Sequence, residues 1–169
     1  MPTIYSSVFE LGLSDAIRSA LITSFMSFAG TLVCALLIDQ TGRRLWFTGA
    51  LLFSGAVLLI LWAVGARSAI QVLVLASAAQ MALSSMTVGL YLYTPELYPT
   101  RLRALGSSVG SAWLRIASVI GPAVVGFVVA RAHLAGAFLL FGIVLLVASG
   151  INRAFGTETK GQILEKISP

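Results

Sequence analysis

Apolar and polar positions divide the chain into five almost uninterrupted apolar stretches, at 20–38, 45–65, 69–93, 104–130 and 134–151. Each is close to the roughly 20 residues that an α-helix needs to cross a bilayer. Backbone amides in hydrocarbon have no water to bond, so apolar runs of this length are satisfied only as helices, because membrane strands are shorter and alternate. The pattern therefore predicts an all-α membrane protein, a bundle of five transmembrane helices. Composition points the same way. Of 169 residues, 58% are hydrophobic and 10% charged, against about 45–50% and about 25% in soluble domains, and no water-soluble fold of this size could hide so much apolar surface. The connections are short, with no linker, low-complexity tract or charge run, so 1–169 is expected to be a single transmembrane domain without a soluble appendage.

The few polar residues inside the spans indicate which way each helix faces, since polar side chains in a bilayer are kept against another helix, a ligand or water. In the third span Ser77, Gln80, Ser84, Thr87 and Tyr91 recur three and four apart and so share one helical face. In the fourth, Ser108, Ser111, Arg115, Ser118 and Pro122 repeat the spacing, and the first has a shorter version in Ser24, Ser27, Thr31 and Cys34. The second offers little beyond Thr48 and Ser54 and the fifth little beyond Ser149 and Asn152, so both are expected to face lipid. The small residues could serve close helix approach, as the Gly106 and Gly110 pair suggests, or line a water-filled path. Arg115 is harder to explain by packing. Counted from Ala104 it lies about 17 Å deep, too far to snorkel easily, at an insertion cost of at least about 2.5–3.5 kcal/mol. It needs an acid, a carbonyl or an anionic ligand as partner. Pro122, beside Gly121, would bend the same helix, as a gating hinge or as a static kink.

Charge sets the orientation. One set of connections carries Arg43, Arg44, Arg101, Arg103, Arg153, Lys160 and Lys166, and the other only Arg18, Arg67 and Arg131. By the positive-inside rule the first set is cytoplasmic, with the N-terminus outside and the C-terminus inside a plasma membrane. The net charge of +5 comes from basic residues scattered between spans, with no basic face, so no nucleic-acid partner is expected. Met1 to Phe9 lacks the charged start and apolar core of a secretory signal. No reactive pair of His, Asp, Glu or Cys occurs inside the spans, so no catalytic residues, metal or cofactor are expected and the chain is not read as an enzyme. Asp39 and Glu96 end two spans near Arg43, Arg44, Arg101 and Arg103. They could form an ion network that locks one arrangement of helices, or plain surface pairs worth under about 1 kcal/mol.

Three loops carry a resemblance. Asp39-Gln40-Thr41-Gly42-Arg43-Arg44 resembles the signature loop of major facilitator transporters. The segment Pro95-Glu96-Leu97-Tyr98-Pro99-Thr100-Arg101-Leu102-Arg103-Ala104-Leu105-Gly106 is similar to the loop between helices ten and eleven of the sugar-porter-like branch. Thr157-Glu158-Thr159-Lys160-Gly161 is similar to that branch's Pro-Glu-Thr-Lys-Gly, departing at Thr157. The resemblance implies that the five spans correspond to helices eight to twelve of a fold made of two six-helix halves, with Met1 to Leu13 a remnant of helix seven. It also implies a metabolite:proton symporter relationship. That branch has an arginine flanked by glycines ahead of a proline in helix eleven, which Arg115 and Pro122 match while Leu114 and Ala117 replace the glycines. The implied function is the C-terminal half of a secondary transporter for an organic or aromatic acid or a sugar-like metabolite. Proton coupling would rest on an acid in a missing N-terminal half or split partner, and Arg115, Gln80, Ser84, Thr87, Ser111 and Ser118 would line the cavity. The alternative is a non-transporting assembly or regulatory partner in the bilayer.

Overall fold

The computed structural model describes residues 13–65, 68–96, 98 and 101–158. The expected remnant of helix seven lies outside them except for Leu13. Three helices come first, α1 (Leu13–Thr41), α2 (Arg43–Val64) and α3 (Ala69–Glu96). Helical hydrogen bonding then runs from Arg103 to Phe155 over 53 residues, about 80 Å if it were straight. It cannot be straight. Tyr98 lies against Gly106 at one end, while near the other the Tyr93 hydroxyl bonds the Thr157 carbonyl, and only five residues separate the two tyrosines. The chain therefore doubles back, and His133 takes a positive φ of 55°. The two limbs are α4 (Arg103–Arg131) and α5 (His133–Phe155), and all five helices are long and apolar enough to cross a membrane. The limits differ from the spans read from the sequence by up to four residues, except at the start of α1, which begins seven residues before 20.

The helices turn sharply. Gly42 alone separates α1 from α2, at φ 90°, where glycine pays no Cβ penalty. Gly65, at φ 78°, closes α2 by donating to the Leu61 carbonyl. These turns bring the end of α1, the start of α2 and the ends of α3 and α5 to one end of the bundle. There Cys34, Ile38 and Phe47 form a buried cluster with Trp46, Met86, Leu90 and Tyr93 around it. A second cluster of Leu61, Val72 and Ala76 with Leu58, Leu75 and Phe138 sits toward the other end.

Two helix pairs dominate the packing, α1 on α3 and α2 on α5, with α2 also against α3. On α1 the hydroxyls of Ser19, Thr23, Ser27 and Thr31 each donate to the carbonyl one turn earlier, and Thr23 Oγ1 also meets Ser77 Oγ at 3.1 Å. Here small polar residues serve helix contact. At α2 and α5 the expectation needs correction. Rather than simply facing lipid, these helices pack on each other along a seam: Ser149 Oγ donates to the Thr48 carbonyl at 2.9 Å, and Asn152 Nδ2 to the Arg44 carbonyl at 3.1 Å and Thr48 Oγ1 at 2.9 Å. Gly55 and Gly142 let the backbones close in, since a Cβ at Gly55 would sit 3.1 Å from the Gly142 carbonyl oxygen. The seam's few polar residues are bonded across it. The helix α4 is the opposite case: none of its most apolar stretch is buried among the described residues.

Candidate functional site

The polar faces of α3 and α4 meet in part. A cleft of about 470 Å³ lies between the end of α3 and the first half of α4, walled by Tyr91 and Thr94 on one side and Ser111 and Trp113 on the other. It adjoins a shallower hollow of about 390 Å³ on α4 that holds Ser108, Ser111 and Arg115. The glycine pair at the start of α4 makes this approach possible, because the Tyr98 ring lies directly over Gly106 and Gly110 faces Thr94 Cγ2. Thr87 is one turn from Tyr91, exposed on the same face, and Ser84 and Gln80 follow, half-buried, along α3. Gln80 is about 16 Å from Tyr91 along the axis, so it shares the face of the cleft but not its lining. Ser118 is exposed one turn beyond Arg115. Pro122 and Gly121 lie within the continuous helix, and a Cβ at Gly121 would meet nothing within 4 Å.

The hydrogen bonding decides what this face can offer. Ser108 donates to the Ala104 carbonyl, Ser118 to Arg115, Thr87 to Leu83 and Thr94 to Leu90. Those hydroxyl protons are spent on their own helices, so these groups face outward as acceptors only. Arg115 differs. It is exposed, and among the described residues the ion pairs are Arg18 with Asp15 and Arg43 with Asp39, neither of which involves it. A guanidinium offers five donors and no acceptor, so the hollow presents positive charge and a planar donor fork to whatever lies against it.

The second candidate region is the arginine-rich end. Arg43 pairs with Asp39 at 2.8 Å, one turn apart, with the Asp39 side chain 73% exposed. The carboxylate of Glu158, which the sequence reading left out of the network, reaches across from the tail: Oε1 accepts the Arg43 amide at 3.0 Å and Oε2 the Arg44 amide at 3.2 Å. This places an anion at the N-terminus of α2, where two orphan donors and the helix dipole favour it. Gly42 is required for a second reason here, since a Cβ would stand 2.7 Å from Glu158 Oε2. The Arg44 guanidinium bonds the Arg153 carbonyl. With Asn152 and the Tyr93 hydroxyl, 2.7 Å from the Thr157 oxygen, these contacts strap the end of α5 across α2 and α3. Arg101 is exposed, and Arg103 keeps a buried Nε without a partner among the described residues; neither pairs with Asp39. The Glu96 side chain lies outside the described residues. The signal that could have singled out Glu158 was its place in the tail motif. Tyr93 and Asn152 carried none beyond being polar near span ends.

The family described as "Sugar (and other) transporter" matches residues 2–169. The chain is 33% identical over 147 residues to organic cation/carnitine transporter 7 of Arabidopsis thaliana, covering 87% of this chain and 29% of that protein. It is 34% identical over 132 residues to solute carrier family 22 member 6 of Rattus norvegicus, covering 78% and 23%. It is 39% identical over 79 residues to the niacin transporter NiaP of Acinetobacter baylyi, covering 46% and 18%. The chain spans less than a third of the length of each of these relatives.

Proposed function

We propose a transport function, starting from the family: the chain belongs to the sugar (and other) transporter family, as a sugar-porter-like member of the major facilitator superfamily. In this reading its five helices are the C-terminal part, helices eight to twelve, of a secondary transporter of small organic solutes. It translocates rather than catalyses, and it works with a six-helix N-terminal half that covers the open face of α3 and α4. A non-transporting assembly or regulatory role is not favoured by these matches. Residues Arg43, Arg44, Arg101 and Arg103 lie on the cytoplasmic side of a plasma membrane, and the N-terminus is outside.

The solute carries a carboxylate. The relatives' names span organic cations, carnitine and niacin, the last two of which bear a carboxyl group. The observation that carries the choice is the Arg115 guanidinium, exposed beside Ser108 and Ser111 in the hollow and without an ion pair among the described residues. Around it Ser108 and Ser118 present acceptors, and Arg115 is the group that can grip a planar anion with two parallel hydrogen bonds. Tyr91 and Trp113, in the adjoining cleft, offer ring faces to an aromatic or apolar body. The second binding wall, and any membrane acid that couples proton flow, belong to the other half. Rocking of the halves about this site gives alternating access, and the straps that Asp39, Arg43, Arg44 and Glu158 form at the cytoplasmic end stabilise one arrangement.

The test is Arg115→Lys in the assembled transporter. Lysine keeps the charge and loses the fork, so affinity for a pyridine or benzene carboxylate should fall by at least tenfold while folded yield stays near that of the parent. Unchanged affinity would make Arg115 structural and remove the support for an acid substrate.

A further inference from the structure

A cavity of about 580 Å³ lies away from the cleft and the arginine straps, between α1 and α2 with α3 as its floor. Gly30 and Val33 form one wall, Gly49 and Phe53 the other, and Ala82 and Ser85 the floor. Its origin is local. The bare backbone of Gly30 lies against the Met81 carbonyl, so that any Cβ there would collide with it, and α1 sinks onto α3 rather than onto its chain neighbour α2. On the facing wall Gly49 sends no side chain into the gap, and a Cβ there would meet nothing within 4 Å. The result is a groove running along the membrane-spanning parts of three helices.

Its position and chemistry define the occupant. On α3 the floor residues Ala78 and Ala82 stand two positions before the polar residues Gln80 and Ser84, which at about 100° per residue places them well around the helix from the solute-facing stripe. The groove therefore opens away from the face that the other half would cover. Ser85 spends its proton on the Ala82 carbonyl at 2.7 Å, so water entering the groove would find few of the two to four partners it needs. Lipid is the remaining solvent. At one end the lining passes to Thr41, Leu45 and Trp46, beside the turn at Gly42. This end carries Arg43, Arg44, Arg101, Arg103 and Arg153 against Asp39, Glu96 and Glu158, an excess of positive charge that attracts anionic headgroups. The Trp46 ring lines that mouth, with its indole Nε1 turned inward beside the buried Cys34.

We propose that this groove binds one acyl chain of an anionic phospholipid from the leaflet at the arginine-rich end, with its headgroup held beside Trp46 and the Gly42 turn. The site goes beyond solute transport and does not depend on it. Trp46 supplies the readout. With Trp62→Phe and Trp113→Phe, the chain is reconstituted into phosphatidylcholine vesicles that contain an equal fraction of phosphatidylglycerol or phosphatidylcholine with brominated chains, which quench a tryptophan they touch. Brominated phosphatidylglycerol should quench Trp46 at least twofold more than brominated phosphatidylcholine. Gly49→Leu, which fills the groove, should abolish the difference. Gly126→Leu on α4, where a Cβ also meets nothing within 4 Å, should leave it intact. Equal quenching by the two lipids, or a difference that survives Gly49→Leu, overturns the proposal. If Gly49→Leu loses its helical circular dichroism, Ala82→Leu from the floor is read in its place by the same criteria.

Discussion

At the scale of single residues, the arginine-rich end shows how one side chain can do more than its charge suggests. The pair of exposed Asp39 with the largely covered Arg43 is the arrangement that a charge count finds, and a pair whose acid stands so far in water contributes about 0–1 kcal/mol. Glu158 contributes through geometry instead, closing two backbone amides that α2 cannot satisfy itself. Replacing a residue that caps a helix N-terminus by alanine costs about 0.5–2 kcal/mol, and the loss of negative charge beside the dipole adds to it. Glu158→Ala should therefore destabilise the bundle by about 1–2 kcal/mol, whereas Asp39→Asn should cost less than about 1 kcal/mol. Denaturation in bicelles followed by far-UV circular dichroism compares the two directly, and an Asp39→Asn variant that is the weaker of the pair would reverse this ranking. The candidate residues for a solute site are proposed from the sequence for a related reason. An arginine such as Arg115 inside an apolar span is costly enough to be conspicuous, while a glutamate in a polar tail such as Glu158 is not.

At the scale of helices, the elements were legible and their partners were not. Length and apolarity point to five helical spans, because only a helix satisfies its backbone in lipid, and the helix limits depart from them by up to four residues except at the start of α1, seven residues early. Which helices touch depends instead on where backbones can approach, and that is decided by glycines whose role a single sequence does not display. Gly30 and Gly150 look alike as helical glycines, yet a Cβ at Gly30 would strike the Met81 backbone and one at Gly150 would meet nothing within 4 Å. The same substitution should therefore have opposite signs. Gly30→Ala should destabilise by about 1–3 kcal/mol through overpacking against a carbonyl that cannot rotate away, and Gly150→Ala should stabilise by up to about 1 kcal/mol through helix propensity. Thermal unfolding of both variants in the same detergent tests the pair, and a Gly30→Ala variant as stable as the parent would mean that α1 and α3 are not held at this crossing. The seam between α2 and α5 escaped the sequence for a similar reason. Thr48, Ser149 and Asn152 are too few to form a stripe, although they bond one another across it.

At the scale of the molecule, the proposed orientation rests on the joint placement of loops and charge. The turns put Gly42, Arg103 and Phe155 toward one end of the bundle and Gly65 and His133 toward the other, so the basic residues counted from the sequence do gather on one side. Arg43, Arg44, Arg101, Arg103 and Arg153 share the first end, while the second carries Arg18 and Arg131. Short loops with such a bias are retained on the cytoplasmic side during insertion. Single cysteines read this without disturbing the fold if they avoid Gly42, whose positive φ and contact with Glu158 tolerate no side chain. Cys34, fully buried, is first replaced by alanine. In intact cells a membrane-impermeant thiol reagent should label Ser68→Cys and Arg131→Cys, and it should label Thr41→Cys and Arg101→Cys only after the membrane is opened. The reverse pattern would place the arginines outside and overturn the proposed orientation.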